Sequence, residues 1–519
     1  MTEYDGSAGT VPDQTTGDPA AGDPAADNPV TGNSGAGDPA PPGVPADPGT
    51  GPTTGSGGAG RPARPGDGAS ESRPGDGASE SRPGDGASES RPGDGASESR
   101  PGPAHRPALA RCVAVEPAKF AATHWGRAPL LSRAAELGNP DGFRDLLSPA
   151  DADELLSRRG LRTPFLRVAQ NGQVLPAGQY TGGGGAGAEI TDQVLDERVL
   201  ALYADGATLV LQGLHRTWPP LIDFTRELSL LLGQPLQVNA YLTPPGNQGF
   251  ATHYDTHDVF VLQVDGHKHW QVHEPVLPDP LERQPWGGRA DEVAAVADGP
   301  AALDVLLGPG DALYLPRGWL HSARAQDESS LHLTVGVRAV TRYAMVEALL
   351  DLAAEDPRLR APLPFGVDVA EVDQVEPELT ETVEALRDWL LRADPAAVAA
   401  RLRARAWPAA RPAPIRPLAQ AAAIASVDAD TRLAPRDGLR WQLTAEPPAP
   451  GADGVDGAGR VALALFDRTV TFPGQCALAL RAFLSGGVRR VGELPGLDDD
   501  ADRIVLACRL LREAIAVPA

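Results

Sequence analysis

The stretch His253-Tyr-Asp-Thr-His-Asp-Val-Phe-Val-Leu-Gln-Val-Asp-Gly-His-Lys-His-Trp-Gln-Val-His273 decides the fold of this chain. Val259 to Val264 is a short β-branched and aromatic run, and His267 to His273 alternates as a second strand. Between them Asp265-Gly266 is a dipeptide suited to the left-handed conformations of a tight hairpin. Working outward, Gln237 to Leu242 reads as a strand before this hairpin, and Ala312 to Leu315 and Leu331 to Val337 as strands after it. Pro, Gly and Asp punctuate these runs, notably in the turn Gly308-Pro309-Gly310-Asp311. Short strands at this spacing predict an antiparallel sandwich or barrel.

The same stretch carries chemistry. His253 and Asp255 are two residues apart, so on an extended segment their side chains point the same way. His321, arriving after the Gly-Pro-Gly-Asp turn and its strand, can close the set. Two imidazoles and one carboxylate are the facial ligands of non-haem Fe(II) oxygenases, although a His-x-Asp spacing by itself is common. Lys268 adds weight, because it is one of only two lysines, with Lys119, among 46 basic residues. Lys268, Trp270 and Val272 share one strand face, while His267, His269 and His273 share the other. If the apolar pair marks the interior, Lys268 points inward, where an ammonium is costly unless an anion meets it. A cosubstrate carboxylate would be that anion. Asn239 and Tyr241 share a face of the preceding strand and would line the cosubstrate or substrate pocket. His332, alternating away from Leu331 and Leu333, is a further candidate for the interior. The cluster His257, His267, His269 and His273 reads as solvated edge histidines.

Five motifs then stand in order: Asn239-Ala-Tyr241, Gln248-Gly-Phe-Ala-Thr-His253-Tyr-Asp255, Phe260-Val-Leu-Gln263, Gly266-His-Lys268-His-Trp270 and Leu315-Pro-Arg-Gly-Trp-Leu-His321. Together they closely resemble the JmjC-type 2-oxoglutarate oxygenases, specifically the ribosomal oxygenase subgroup, strongly over Val238 to Val340 and more loosely beyond. The resemblance implies an α+β fold with a cupin-like double-stranded β-helix, followed by a helical dimerisation segment and a small winged-helix-like domain. It implies His253, Asp255 and His321 as Fe(II) ligands, and Lys268 as the partner of the distal carboxylate of 2-oxoglutarate, with O2 as the second cosubstrate. It further implies hydroxylation of a His or Arg side chain of a ribosomal protein. One departure stands out: Gly336 occupies a position where several relatives place a small hydroxyl residue.

The domain organisation expected from these readings is a disordered low-complexity tail at 1–110, a JmjC/cupin domain at 111–340, a helical dimerisation segment at 341–410 and a winged-helix-like domain at 411–519. In the tail, Arg-Pro-Gly-Asp-Gly-Ala-Ser-Glu-Ser runs four times in tandem from Arg64 to Ser99, without the apolar residues a stacked repeat needs. Concentrated apolar residues begin near Val113. Phe143 to Leu156 reads as helical, Pro164 to Val168 as a strand, Gly182 to Gly185 as a mobile loop, and Leu221 to Leu232 as a helix capped by Gly233. Tyr343 to Glu355 and Leu379 to Arg405 show helical spacing, as does Arg503 to Ile515, and Val461 to Phe466 reads as a strand.

Net charge of −23 and a sequence pI of about 4.8 argue against nonspecific binding to nucleic acid or anionic membrane. The last domain agrees: Ala413 to Ala519 holds twelve Arg, no Lys and thirteen acidic residues, lacking the basic face that duplex binding requires. Three scattered cysteines, no apolar run of membrane-spanning length and no secretory signal point to a cytoplasmic protein. The expected partner is a protein substrate, with no direct nucleic-acid contact, no membrane and a homodimeric assembly. Two other readings remain open: the same chemistry on a biosynthetic peptide or small molecule, and a non-catalytic metal-binding cupin that recognises a protein.

Overall fold

The computed structural model describes residues 107–139, 142–187, 189–446 and 459–519. The expected tail, including its four repeats, lies outside the described residues up to residue 106. Its boundary at 110 is corrected by a helix at Ala108–Cys112, whose Ala108, Leu109 and Cys112 are buried. Five residues are too few to register as a helical period, and the helix exists because the large sheet offers it a surface.

Among the described residues, eleven strands build the barrel. They are β1 (Leu130–Ser132), β2 (Leu166–Gln170), β3 (Gln173–Val174), β4 (Thr208–Leu211), β5 (Leu236–Thr243), β6 (Asp258–Asp265), β7 (Lys268–His273), β8 (Leu303–Leu307), β9 (Ala312–Leu315), β10 (Leu320–Ala325) and β11 (Ser330–Val337). Two shorter pieces, Thr181–Gly182 and Gln193–Val194, pair separately. The large sheet runs β1-β9-β6-β11-β5-β4-β2-β3 and the small one β8-β7-β10, with every pairing between adjacent strands antiparallel. β11 sits between β5 and β6, placing Leu333 opposite both Ala240 and Leu262. This is the expected cupin-like double-stranded β-helix.

β6 shows why the sequence reads as a near-continuous apolar run. Its Val259 and Val261 pack inward with Trp270, Val272, Leu313 and Leu315 of the facing strands. Its Phe260, Leu262 and Val264 pack outward under the N-terminal helices, in the cluster that holds Leu109, Phe120 and Phe224. A strand covered on both faces loses polar alternation. The exception, Gln263, is fully buried and staples the hairpin: its Nε2 donates to Asp265 O at 2.9 Å, Gly266 O at 3.0 Å and Ser330 Oγ at 2.9 Å. Gly266 has φ 62°, and a Cβ there would meet Ser329 O at 2.0 Å, so glycine is required at the turn.

Other expectations shift at their boundaries. The helix expected from Phe143 begins instead at Pro149, because Ser148 and Asp151 form a capping box with Pro at the first position. The Pro164 strand is displaced to Leu166–Gln170. Gly182, expected in a loop, is paired with Gln193; a Cβ there would lie 2.7 Å from Leu195 Cδ1. The helix expected from Leu221 runs Pro219–Leu232 and ends on Gly233 at φ 69°.

After the barrel come Arg342–Ala353, Val372–Leu390 and Pro395–Ala406. The single run expected from Leu379 to Arg405 is thus two helices, because Asp394 caps a new start at Pro395 by accepting from Ala396 and Ala397 N–H. Arg405 pairs with Glu347 and Asp351, tying Pro395–Ala406 to Arg342–Ala353. The last region has its own core around Leu463, Leu480, Phe483 and Leu510, with helices Pro417–Ala425, Ala477–Leu484 and Asp500–Arg512 and two three-stranded sheets. Asp499 caps the last of these helices through Asp502 N–H at 2.8 Å. Among the described residues no helix is long and apolar enough to cross a membrane.

Candidate metal centre and cosubstrate pocket

The segment before β6 and the start of β10 are paired through the main chain: His253 N donates to His321 O at 3.2 Å and His321 N to His253 O at 2.8 Å. Gly318 N donates to Asp255 O at 3.0 Å, closing the turn that leads into β10. These bonds bring one ligand atom each of His253, Asp255 and His321 within 4.8 Å of one another. His321 Nε2 lies 3.8 Å from Asp255 Oδ2, and the two imidazole centroids are 4.5 Å apart. All three side chains predicted as metal ligands are therefore together.

The donor set fits a metal ion. His253 Nδ1 lies 2.8 Å from Ala251 O and His321 Nδ1 3.1 Å from Trp319 O. A carbonyl can only accept, so each Nδ1 carries its proton and each Nε2 keeps a free lone pair. Burial pushes the His321 imidazole down to about 4. Burial pushes the Asp255 carboxyl up, but the imidazoles of His257, His321 and His253 outweigh it and hold it below its ordinary value. Neutral imidazole beside carboxylate is the protonation state that binds a cation.

The triad opens into a cavity between the two sheets, lined also by Thr208, Tyr241, Phe250, Lys268, Trp270, His332 and Thr334. Lys268 is 3% exposed, confirming the inward face read from alternation. Its Nζ donates to Thr243 Oγ1 at 3.0 Å, and burial pushes the ammonium down to about 7. Trp270 Nε1 and His332 Nδ1 are buried without a hydrogen-bond partner. One under-coordinated ammonium and two unpartnered ring nitrogens on one cavity are what a polar, anionic cosubstrate would complete.

Tyr241 lines this cavity and stacks on His332, with centroids 4.9 Å apart and planes at 8°. Asn239 shares its strand face but stands back from the lining, its Oδ1 accepting Gly213 N–H at 3.2 Å. The expected edge histidines divide. His267 is exposed and pairs with Glu328, and His269 is half-buried and pairs with Asp304. His273 is 4% exposed, because the end of β7 is covered on both faces. His257 sits against Gly336, where a Cβ would be 2.5 Å from its Cδ2, and its Nε2 lies 3.1 Å from Gln237 Nε2. The Gly336 departure thus makes room for an imidazole beside Asp255. Thr243 escaped the sequence reading, although it follows Asn239 and Tyr241 on the same alternating face.

A barrel of two antiparallel sheets with two imidazoles and a carboxylate at one cavity defines a cupin-like, metal-binding double-stranded β-helix. Within that class, residues 223–345 match the family model of the JmjC domain. Ribosomal oxygenase 1 of Gallus gallus is 33% identical over 282 residues, covering 52% of this chain and 45% of that protein. The bifunctional lysine-specific demethylase and histidyl-hydroxylase NO66 of Drosophila persimilis is 29% identical over 258 residues, covering 48% and 35%. The chain therefore spans less than half the length of these curated relatives. The crystal structure of the Escherichia coli ribosomal oxygenase YcfD aligns over 78% of this chain and 98% of its own, at 17% identity and a TM-score of 0.45. The resemblance read from the five motifs is borne out by the family model and by the two curated relatives.

Proposed function

We propose that this chain is an Fe(II)- and 2-oxoglutarate-dependent protein hydroxylase that acts on a His or Arg side chain of a ribosomal protein. The observation that carries the reading is Lys268: a buried ammonium, held by a single hydroxyl, on the same cavity as a His-Asp-His set. His253, Asp255 and His321 would hold the iron, and Lys268 the distal carboxylate of 2-oxoglutarate. With both bound, the centre couples O2 and the decarboxylation of 2-oxoglutarate to succinate and CO2 to the insertion of one oxygen atom into a substrate C–H bond.

The chain's own residues bind and orient. Lys268 and Thr243 fix the far end of the cosubstrate, and Trp270 Nε1–H offers a second donor on that wall. Tyr241, His332 and Phe250 form an aromatic side to the cavity, which excludes water and gives a planar side chain a surface to stack on. Asn239 braces the Tyr241 strand against Gly213. The similarity to a ribosomal oxygenase and to a histidyl-hydroxylase supports the substrate class. A ribosomal substrate makes the cytoplasm the working compartment, and the protein substrate rather than nucleic acid the direct contact.

The helix Val372–Leu390 supports a homodimer. It buries no residue, yet Leu379, Val383 and Leu390 form an exposed apolar stripe that Leu386 continues at alternating four- and three-residue spacing.

Purified protein with Fe(II), ascorbate and 2-oxoglutarate is expected to make succinate when given ribosomal protein. Ribosomal proteins from cells lacking the gene are expected to lose one added oxygen on one His or Arg. Succinate formed only with small molecules favours the biosynthetic reading, and loss of methyl groups from lysine favours demethylation. No succinate with any substrate, together with unchanged partner binding by Asp255→Ala, favours the non-catalytic cupin.

A further inference from the structure

Asp258 lies three residues beyond Asp255, at the first position of β6, and is 1% exposed. Its two oxygens are shared between two neighbouring parts of the chain. Oδ2 accepts the Tyr314 hydroxyl of β9 at 2.7 Å, and Oδ1 accepts Arg317 N–H, in the turn after β9, at 3.0 Å. The Tyr314 oxygen in turn accepts Gly126 N–H at 2.8 Å. A buried carboxylate is costly unless its lone pairs are met, so each of these bonds constrains where Pro316 to Trp319 can lie.

That placement matters because the turn delivers His321. The segment from His253 to Asp258 and the segment from Arg317 to His321 are laced by four hydrogen bonds. Three are purely main-chain: His253 N to His321 O, His321 N to His253 O, and Gly318 N to Asp255 O. The fourth, Arg317 N to Asp258, is made by a side chain. The turn has little slack on its other side, since a Cβ on Gly318, at φ 87°, would lie 2.6 Å from Leu277 O.

We propose that Asp258 is a positioning residue for the metal centre: without ligating, it clamps the turn that carries His321 at the separation from His253 and Asp255 that lets their donor atoms converge. The proposal rests on the reading of the triad as a metal site. Partners that orient ligands from behind typically change metal affinity by about 10–100-fold when removed.

The test is Co(II) titration of the full chain, read by affinity and by the visible absorption of the bound ion, with thermal unfolding as the control. Asp258→Ala is expected to weaken Co(II) binding by about 10–100-fold and to alter the spectrum. Asp258→Asn, which keeps an oxygen for Arg317 N–H, is expected to restore most of the affinity. Tyr314→Phe, which frees one side of the clamp, is expected to shift affinity in the same direction by a smaller factor. Wild-type affinity and spectrum in a folded Asp258→Ala protein, even with a lowered Tm, overturn the proposal. If Asp258→Ala does not fold, an unchanged Tyr314→Phe overturns it instead. Failure of the wild type to bind Co(II) any better than Asp255→Ala overturns the metal-site reading itself, and this proposal with it.

Discussion

Lys268 Nζ lies 3.0 Å from Thr243 Oγ1, and among the described residues no carboxylate forms an ion pair with it. A buried ammonium left this way should prefer to lose its proton, and burial does push it down to about 7. An unfolded lysine titrates near 10.4, so between about pH 7 and 10 the unfolded chain binds more protons than the folded one. Stability of the cosubstrate-free protein is therefore expected to rise with pH across that window, as far as Lys268 determines it. If Lys268 meets the distal carboxylate as proposed, binding of 2-oxoglutarate would restore the ammonium, and proton uptake should accompany binding above pH 7. Affinity should then fall by up to about tenfold per pH unit. Calorimetry in buffers of different ionisation enthalpy measures that uptake directly, and a pH-independent affinity between 7 and 9 contradicts it.

Lys268→Met separates binding from folding. Removing an ammonium that has no ion-pair partner should leave the Tm unchanged or raised. Cosubstrate affinity should nevertheless drop by about 2–5 kcal/mol, the cost of truncating one member of a buried charge pair. Equal 2-oxoglutarate affinity in the variant and the wild type would show that the carboxylate is held elsewhere.

How much of this was legible depends on whether the signal was local. Lys268, His253 and Asp255 could be read because strand alternation and a two-residue spacing fix side-chain direction without knowledge of the partner strand. The hairpin at Asp265-Gly266 was equally local. His321 needed a partner 68 residues away, and the ordered motifs supplied what spacing alone did not. The sequence reading missed relationships that exist only across the barrel, such as Thr243 beneath Lys268 and Tyr314 against Asp258. The burial of His273 and the break at Asp394 show the two ordinary errors: alternation assumes one wet face, and helical spacing passes over a capping residue.

Gly336 and His257 give a prediction of packing. Gly336 has an ordinary backbone conformation, so the cost of a side chain there is contact alone. A Cβ would lie 2.5 Å from His257 Cδ2 and 2.6 Å from its Nε2. Gly336→Ser is expected to displace the imidazole from Gln237 and destabilise the protein by about 1–3 kcal/mol. His257→Ala should recover most of that loss in the double variant, giving a coupling of about 0.5–3 kcal/mol. Denaturant unfolding of the four proteins measures the cycle, and strictly additive losses would mean that the two residues do not share the space.

The apolar stripe of Val372–Leu390 predicts the assembly. Leu379 and Val383 are 57% and 55% exposed on a helix that buries no side chain in the single chain. Each large aliphatic side chain transferred from water to an interface contributes about 1.5–3 kcal/mol, so two symmetric stripes can hold a pair of chains together. The flanking Glu376, Glu378, Glu381 and Glu384 would repel one another at that seam unless the apolar contact or basic residues offset them. Leu379→Glu with Val383→Glu adds two charges to the stripe without touching any buried contact. The double variant is expected to run as a monomer in light scattering, at a concentration where the wild type is a dimer, and to keep its Co(II) affinity. A wild type that is monomeric at tens of micromolar, or a variant that stays dimeric, would assign the stripe to some other partner.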